Sequence, residues 1–219
     1  MIDTSLIKQA SLLCLNLYDS DPIKWDHFDD GSDDDKICWA IKKIDDIDYV
    51  ILRGSVTTTD WLRDFNAWAN PFHKTDIGHV HPGFLLGMEQ VWSEAEPIAT
   101  SSGGIVLAGH SLGAARADIL CSLMVRDGVY PKARIVFGEP KPGFADFAEV
   151  ISVIDGVSYC CGDDYGHDLI TDMPFSFPPE EYLHPTPLIS IKGSPPRDDP
   201  WSAFRYHHFS LYNAAIQAM

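Results

Sequence analysis

Leu6, Ala10, Leu13 and Leu17 recur every three or four positions near the start of the chain and predict an amphipathic helix. The runs KICWAIKKI (36–44) and DYVILRG (48–54) are rich in β-branched and aromatic residues and predict two strands, with Asp45-Asp46 in the connection. Phe84, Met88, Val91 and Ala95 return to helical spacing and predict a second amphipathic helix. The pattern then changes. GGIVLAG (103–109) is a short apolar run of buried-strand type, followed by a helical stripe at Ala115, Ile119, Leu120 and Leu123. ARIVFG (133–138) and VSYCCG (157–162) repeat the buried-strand pattern. PLISIKG (187–193) predicts a later strand and HFSLYNAAIQAM (208–219) a last helix. The Pro-, Asp- and Gly-rich stretch through the 160s to 180s reads as a long loop. Strands alternating with helices place the chain in the α/β class, with a parallel or mixed sheet covered on both faces. No repeat, low-complexity tract or linker divides residues 1–219, so one domain is expected.

One stretch carries a chemical signal. Gly109-His110-Ser111-Leu112-Gly113 follows the apolar run 105–108 and opens the next helix, and it fits G-x-S-x-G. A strand that turns sharply into a helix needs small residues on both sides of the turn. The serine at its apex is then strained and exposed above the sheet edge, at a helix N-terminus that favours developing negative charge. The competing reading is a glycine-rich phosphate-binding turn, which calls for a nearby lysine; this turn contains none.

Composition narrows the partners. Sixteen Lys and Arg against 32 Asp and Glu give a net charge of −16, a field that repels nucleic acid and anionic membranes. No apolar run approaches the roughly 20 residues of a membrane-spanning helix, so stable membrane insertion is not expected. The opening MIDTSLIKQASLLCLNLYD carries Asp3 and Lys8 among its apolar positions and reads as part of the fold rather than a signal peptide. The cytoplasm is therefore the expected compartment, with export by a route without a cleaved signal left open. Five cysteines without a CxxC pair, two of them adjacent at Cys160 and Cys161, are expected as reduced, mostly buried thiols. The acidic stretch DDGSDDDK (29–36) lacks the alternating ligand spacing of a calcium loop and reads as a solvated turn.

A serine hydroxyl needs a histidine to take its proton, and that histidine needs a carboxylate to fix its tautomer. Behind a G-x-S-x-G elbow the chain order is Ser, acid, His. Asp163, Asp164, Asp168 and Asp172 compete for the middle role, and His207-His208 follow them. His79 and His81 form an H-x-H pair, but no third ligand lies at helpful spacing, so no metal is expected and the chemistry needs no cofactor.

Several ordered motifs point one way. LRGSVTTTDWLRDF (52–65), VHPGF (80–84), GHSLGA (109–114), FGEPKPG (137–143), DLITDMP (168–174) and HHFSLY (207–212) together resemble the fungal-type, or class 3, lipases. The resemblance implies the α/β-hydrolase fold, a central mostly parallel sheet flanked by helices. It also implies a serine hydrolase of acylglycerol or related lipid esters, working through an acyl-enzyme at Ser111. By this resemblance Asp168 is the acid. His207 is the base, because an apolar residue (Phe209) stands two positions after it and Tyr212 five; His208 has neither. Ser55 of the RGS motif and the backbone N–H of Leu112 are the implied oxyanion donors. The partner would be a lipid or acyl ester, met in some cases at a lipid–water interface. A phospholipase A1, a small-ester carboxylesterase and a catalytically silent binding module remain open beside this reading.

The chain also departs from the family pattern. Ala114 stands where a second glycine is common, and Glu139 and Lys141 replace the small residue and arginine of FGSPRVG. Thr171 replaces a proline after the acid. Many relatives are longer and secreted, with disulfides, so extracellular fat digestion does not follow. After Ser55, Trp61, Phe65 and Trp68 recur at i, i+4 and i+7 on one face of a predicted helix within 56–70. That stripe reads either as a surface helix buried against the core or, by the resemblance, as a lid over an acyl pocket.

Overall fold

The computed structural model describes residues 2–19, 23–32, 37–55, 72–176, 181–193 and 204–219. Helix α1 (Thr4–Tyr18) starts at Asp3, whose carboxylate accepts from Ser5 N at 2.7 Å. Its inward face carries Ile7, Ala10, Leu13, Cys14 and Leu17, and Leu6 lies half-buried at its margin. Strands β1 (His27–Asp29), β2 (Trp39–Ile44) and β3 (Ile47–Leu52) form an antiparallel meander. Asp45 and Asp46 turn the β2–β3 hairpin with φ of 47° and 64°, the left-handed pair that matches strand twist.

From β3 the sheet becomes parallel. It runs β3, β6 (Ile105–His110), β7 (Ala133–Phe137), β8 (Gly156–Asp163) and β10 (Leu188–Lys192), with short β9 (Gly166–His167) antiparallel to β8. The unbroken apolar runs follow from cover on both faces. Leu107 and Val136 face one side with Phe84, Met88, Trp92, Ile119 and Phe147, contributed by α2 (Pro82–Leu85), α3 (Met88–Ala95), α4 (Leu112–Arg126) and α5 (Ala145–Ile151). Val106, Ala108, Ile135 and Phe137 face the other, against α1 and α6 (Phe209–Gln217) through Leu13, Leu17, Tyr212 and Ile216. Each large apolar side chain so buried contributes about 1.5–3 kcal/mol.

The six strands expected from the apolar runs, β2, β3, β6, β7, β8 and β10, lie where those runs predict them, whereas β1 has no such run. The helical stripe at 84–95 is instead two helices, because Gly87 adopts φ 79° and ends one before the next begins. The stretch read as a long loop is partly ordered: β8 and β9 form a tight hairpin, and a 3-10 turn (Leu169–Asp172) follows. Helix α5 and the small hairpin of β4 (His73–Thr75) and β5 (Gly78–Val80) carry too short a pattern to predict. All five cysteines are buried free thiols, and burial pushes the Cys121 thiol up to about 12. The aromatic stripe at 61–68 lies outside the described residues. Among the described residues, no helix is long and apolar enough to cross a membrane.

Helix α4 lies against the end of β3 with no room for a methyl group. A Cβ on Gly113 would overlap the Leu52 carbonyl oxygen and approach the Arg53 carbonyl carbon to 2.8 Å. Backbone cannot yield as a side chain can, so Gly113→Ala is expected to cost on the order of 3 kcal/mol. Gly128→Ala, at φ 81° with open space around it, should cost only about 1 kcal/mol of backbone strain. Urea unfolding of the two variants checks the contrast, and equal losses would contradict the close approach.

Candidate active site

The turn between β6 and α4 holds Ser111 at φ 60° and ψ −130°, a left-handed backbone that costs a non-glycine residue roughly 1–3 kcal/mol. Its N–H is tied to the Phe137 carbonyl at 3.0 Å, which anchors the turn to the neighbouring strand. The side chain therefore stands above the sheet at the N-terminus of α4.

Two more segments converge on it. Ser111 Oγ lies 2.7 Å from His207 Nε2, and His207 Nδ1 lies 2.6 Å from Asp168 Oδ2. All three residues are buried, Asp168 completely. Burial works to raise the Asp168 pKa, but the His207 charge and hydrogen bonds from His207, Tyr212 and Ile170 outweigh it and hold the carboxyl below 3.8. As a carboxylate it accepts from Nδ1–H, which leaves Nε2 as the acceptor for the serine hydroxyl. Tyr212 Oη donates to the same Oδ2 at 2.6 Å, and Ile170 N donates to Oδ1 at 3.0 Å. Burial pushes the Tyr212 phenol well up, so it stays a donor. Gly138, at φ 55°, passes so close that a Cβ there would lie 2.8 Å from Asp168 Oδ2 and 3.2 Å from His207 Nδ1.

A second tether reaches the loop before Ser55. Gly54 N donates to Tyr18 Oη at 3.0 Å, so the phenol hydrogen is free to point at His110 Nδ1, also 3.0 Å away. Burial, followed by the His207 charge, holds the His110 pKa well below 6.5, and the ring is neutral. Gly54 sits against the elbow itself: a Cβ on it would lie 2.9 Å from Ser111 Cβ. Ser55, half-buried, directly follows Gly54 in the chain, as Leu112 directly follows Ser111.

The rival candidates lie elsewhere. Asp163 accepts from Tyr206 Oη and Tyr165 N, Asp164 is exposed in the β8–β9 turn, and Asp172 pairs with His167 at 2.9 Å. His208 is exposed. His79 pairs with Asp146 at 2.6 Å, and His81 caps α2 by accepting from Gly83 N. Among the described residues, no group of three or more His, Cys, Asp or Glu converges as a metal site would require. Sequence reasoning used Tyr212 only as a spacing mark and missed its hydrogen bond to the acid. It missed Tyr18 altogether, whose sole signal is a polar group at the inward end of an apolar helical stripe.

A family model described as Lipase (class 3) matches residues 49–177, more than half of the chain. The chain belongs to the class 3 lipase family. It is similar to "Secreted mono- and diacylglycerol lipase 1" of Fusarium solani, 28% identical over 155 residues that make up 67% of this chain and 44% of that one. It is also similar to "Lipase ZK262.3" of Caenorhabditis elegans, 27% identical over 169 residues, 73% of this chain and 46% of that one. The chain thus matches less than half the length of either relative. Among solved structures it resembles the lipase from Rhizopus microsporus var. chinensis (TM-score 0.68, 18% identity, 96% of this chain and 87% of that one). The mono- and diacylglycerol lipase from Aspergillus oryzae is comparable (TM-score 0.66, 16% identity, 100% and 99%). These likenesses establish the α/β-hydrolase fold of the family, in agreement with the mostly parallel sheet.

The depressed Asp168 pKa makes a statement about stability. A group whose folded pKa lies below its unfolded value stabilises fully above the unfolded pKa and loses that contribution as pH falls through the folded one. Asp168→Asn should therefore lower the Tm at neutral pH and flatten its decline below about pH 4. Thermal melts across that range check it. A decline as steep as the wild type's would place the acid sensitivity on other carboxylates.

Proposed function

We propose that this chain hydrolyses carboxylic esters of acylglycerols or related lipids through an acyl-enzyme at Ser111. The observation that carries the reading is the unbroken hydrogen-bonded line Ser111–His207–Asp168, set on a strained elbow at a helix N-terminus. His207 Nε2 takes the hydroxyl proton as Oγ attacks the ester carbonyl carbon. The carbonyl electrons move to oxygen, and the N–H groups of Leu112 and Ser55 receive that charge. The imidazolium, oriented by Asp168, passes its proton to the leaving alcohol as the C–O bond breaks. Water, giving its proton to His207, then attacks the acyl carbon; the C–Oγ bond breaks as His207 returns that proton to Ser111 Oγ, and the carboxylic acid leaves. No step calls on a cofactor.

The net charge of −16 bears on the substrate. A surface of anionic phospholipid repels this protein, whereas a neutral acylglycerol droplet does not. Rates on neutral glycerides should exceed those on anionic vesicles, with the gap narrowing as salt screens the field.

The decisive test is a fluorophosphonate probe with a panel of nitrophenyl and glycerol esters from acetyl to palmitoyl. The wild type should label and turn over, and Ser111→Ala should do neither while melting near the wild-type temperature. His207→Ala should lose activity by a factor on the order of 10⁵, and His208→Ala should stay close to wild type. Ser55→Ala keeps its backbone N–H and should lose no more than about 100-fold, in kcat rather than KM. Turnover that survives Ser111→Ala overturns the reading.

A further inference from the structure

We propose that His184 and Lys141, with Glu139 behind them, are positioning residues for Asp168: they clamp the end of the 3-10 turn that carries the acid. Three successive carbonyls leave that turn without partners inside it, and each is taken by a donor from elsewhere. His184 Nε2 donates to Thr171 O at 2.8 Å, Lys141 Nζ to Asp172 O at 2.9 Å, and Lys141 N to Met173 O at 2.7 Å. The clamp reaches the acid through Thr171, whose Oγ1 and N both donate to Asp168 O, at 2.7 and 3.2 Å. The loop from Gly138 to Lys141 therefore grips Asp168 from two sides. Gly138 packs on the carboxylate, and Lys141 holds the far end of its turn.

His184 is itself held. Its Nδ1 lies 3.3 Å from Glu139 Oε2, which also accepts from Ser158 Oγ at 2.8 Å on β8, the strand that leads to Asp168. Behind Glu139, buried Asp118 and Arg134 pair at 2.6 Å, with Arg134 Nη1 3.6 Å from Glu139 Oε1 and Nη2 bonded to Thr186 Oγ1. Because Thr171 O can only accept, Nε2 carries the ring hydrogen. Burial pushes the Asp118 carboxyl well up and the His184 imidazole down, so the ring is neutral. The charged and titratable groups facing the ring are Glu139, Asp118, Arg134 and Lys141.

Three departures from the family pattern meet in this one set of contacts. Glu139 and Lys141 stand where FGSPRVG has a small residue and an arginine, and Thr171 stands where a proline is usual. A proline at 171 would have neither the hydroxyl nor the N–H that here bind Asp168 O. Their convergence is the reason to read them as one device rather than as separate packing choices.

The kinetic consequence rests on the hydrolase reading, whereas the geometric one does not, and the test uses both. In full-length protein, His184→Ala should lower kcat by roughly 10- to 100-fold with KM within about 2-fold, because a shift of an ångström in the orienting group costs about that much. The acid limb of kcat/KM should move to lower pH, since a displaced carboxylate stabilises the His207 imidazolium less. His184→Gln keeps a donor for Thr171 O and should return kcat to within about 3-fold and restore the limb. Lys141→Met should shift both in the same direction and by less. Without substrate, the far-downfield proton resonance of the His207–Asp168 hydrogen bond should move in His184→Ala and return in His184→Gln. Wild-type resonance, kcat and acid limb in folded His184→Ala would overturn the clamp, as would a glutamine variant no better than the alanine one. If His184→Ala does not fold, a wild-type resonance in Lys141→Met overturns it instead. A wild type that turns over no ester defeats the hydrolase reading and leaves the resonance comparison to decide the clamp.

Discussion

The approach of backbone to backbone at the end of β3 sets the geometry of the whole site. Gly113 presses on Leu52 and Arg53, Gly54 presses on Ser111, and Gly109 presses on the first turn of α4. Each contact is closer than a Cβ permits. With the strand end, the elbow and the helix start locked together, the segment bearing Ser55 and the start of α4 form one wall around Ser111. The strained backbone of Ser111 persists because its surroundings over-determine it.

The opposite wall is assembled differently. Asp168 and His207 come from irregular segments, and hydrogen bonds rather than close backbone contact keep them in place. Tyr212, Ile170, Thr171 and, beyond them, Lys141 and His184 supply those bonds. A buried carboxylate needs such a shell, since each unmet acceptor in a dry interior costs on the order of 1–3 kcal/mol. The two walls meet in two short hydrogen bonds through the His207 ring.

What can be read in the sequence follows the range of the interaction. The buried strands, the Asp45-Asp46 turn and the glycine-flanked elbow are local patterns a few residues long, and all are legible. The break at Gly87 is not, because a glycine within helical spacing is compatible with either one helix or two. The spacing to Phe209 and Tyr212 selects His207 over His208 only through a family pattern, whereas the fold does so physically by burying one ring and exposing the other. Contacts between distant segments leave no periodic trace: Tyr18 meets His110 across 92 positions, Tyr212 meets Asp168 across 44 and His184 meets Glu139 across 45. Residues that looked like departures from a pattern, Glu139 and Lys141 above all, gain a meaning only once those distances close.

The parallel order of the sheet also governs how the molecule comes together. Parallel neighbours cannot pair through a tight hairpin, so β3, β6, β7, β8 and β10 each wait for a crossover to close, and such long-range pairing slows folding. The Ser111–His207 bond spans 96 positions and His207–Asp168 spans 39, and both need the sheet and the C-terminal segment already docked. A chain with most of its secondary structure in place would still lack this hydrogen-bonded line. During refolding, closure of that line follows the docking of the C-terminal segment, and separates the finished molecule from chains whose helices and strands have formed but whose distant ends have not met.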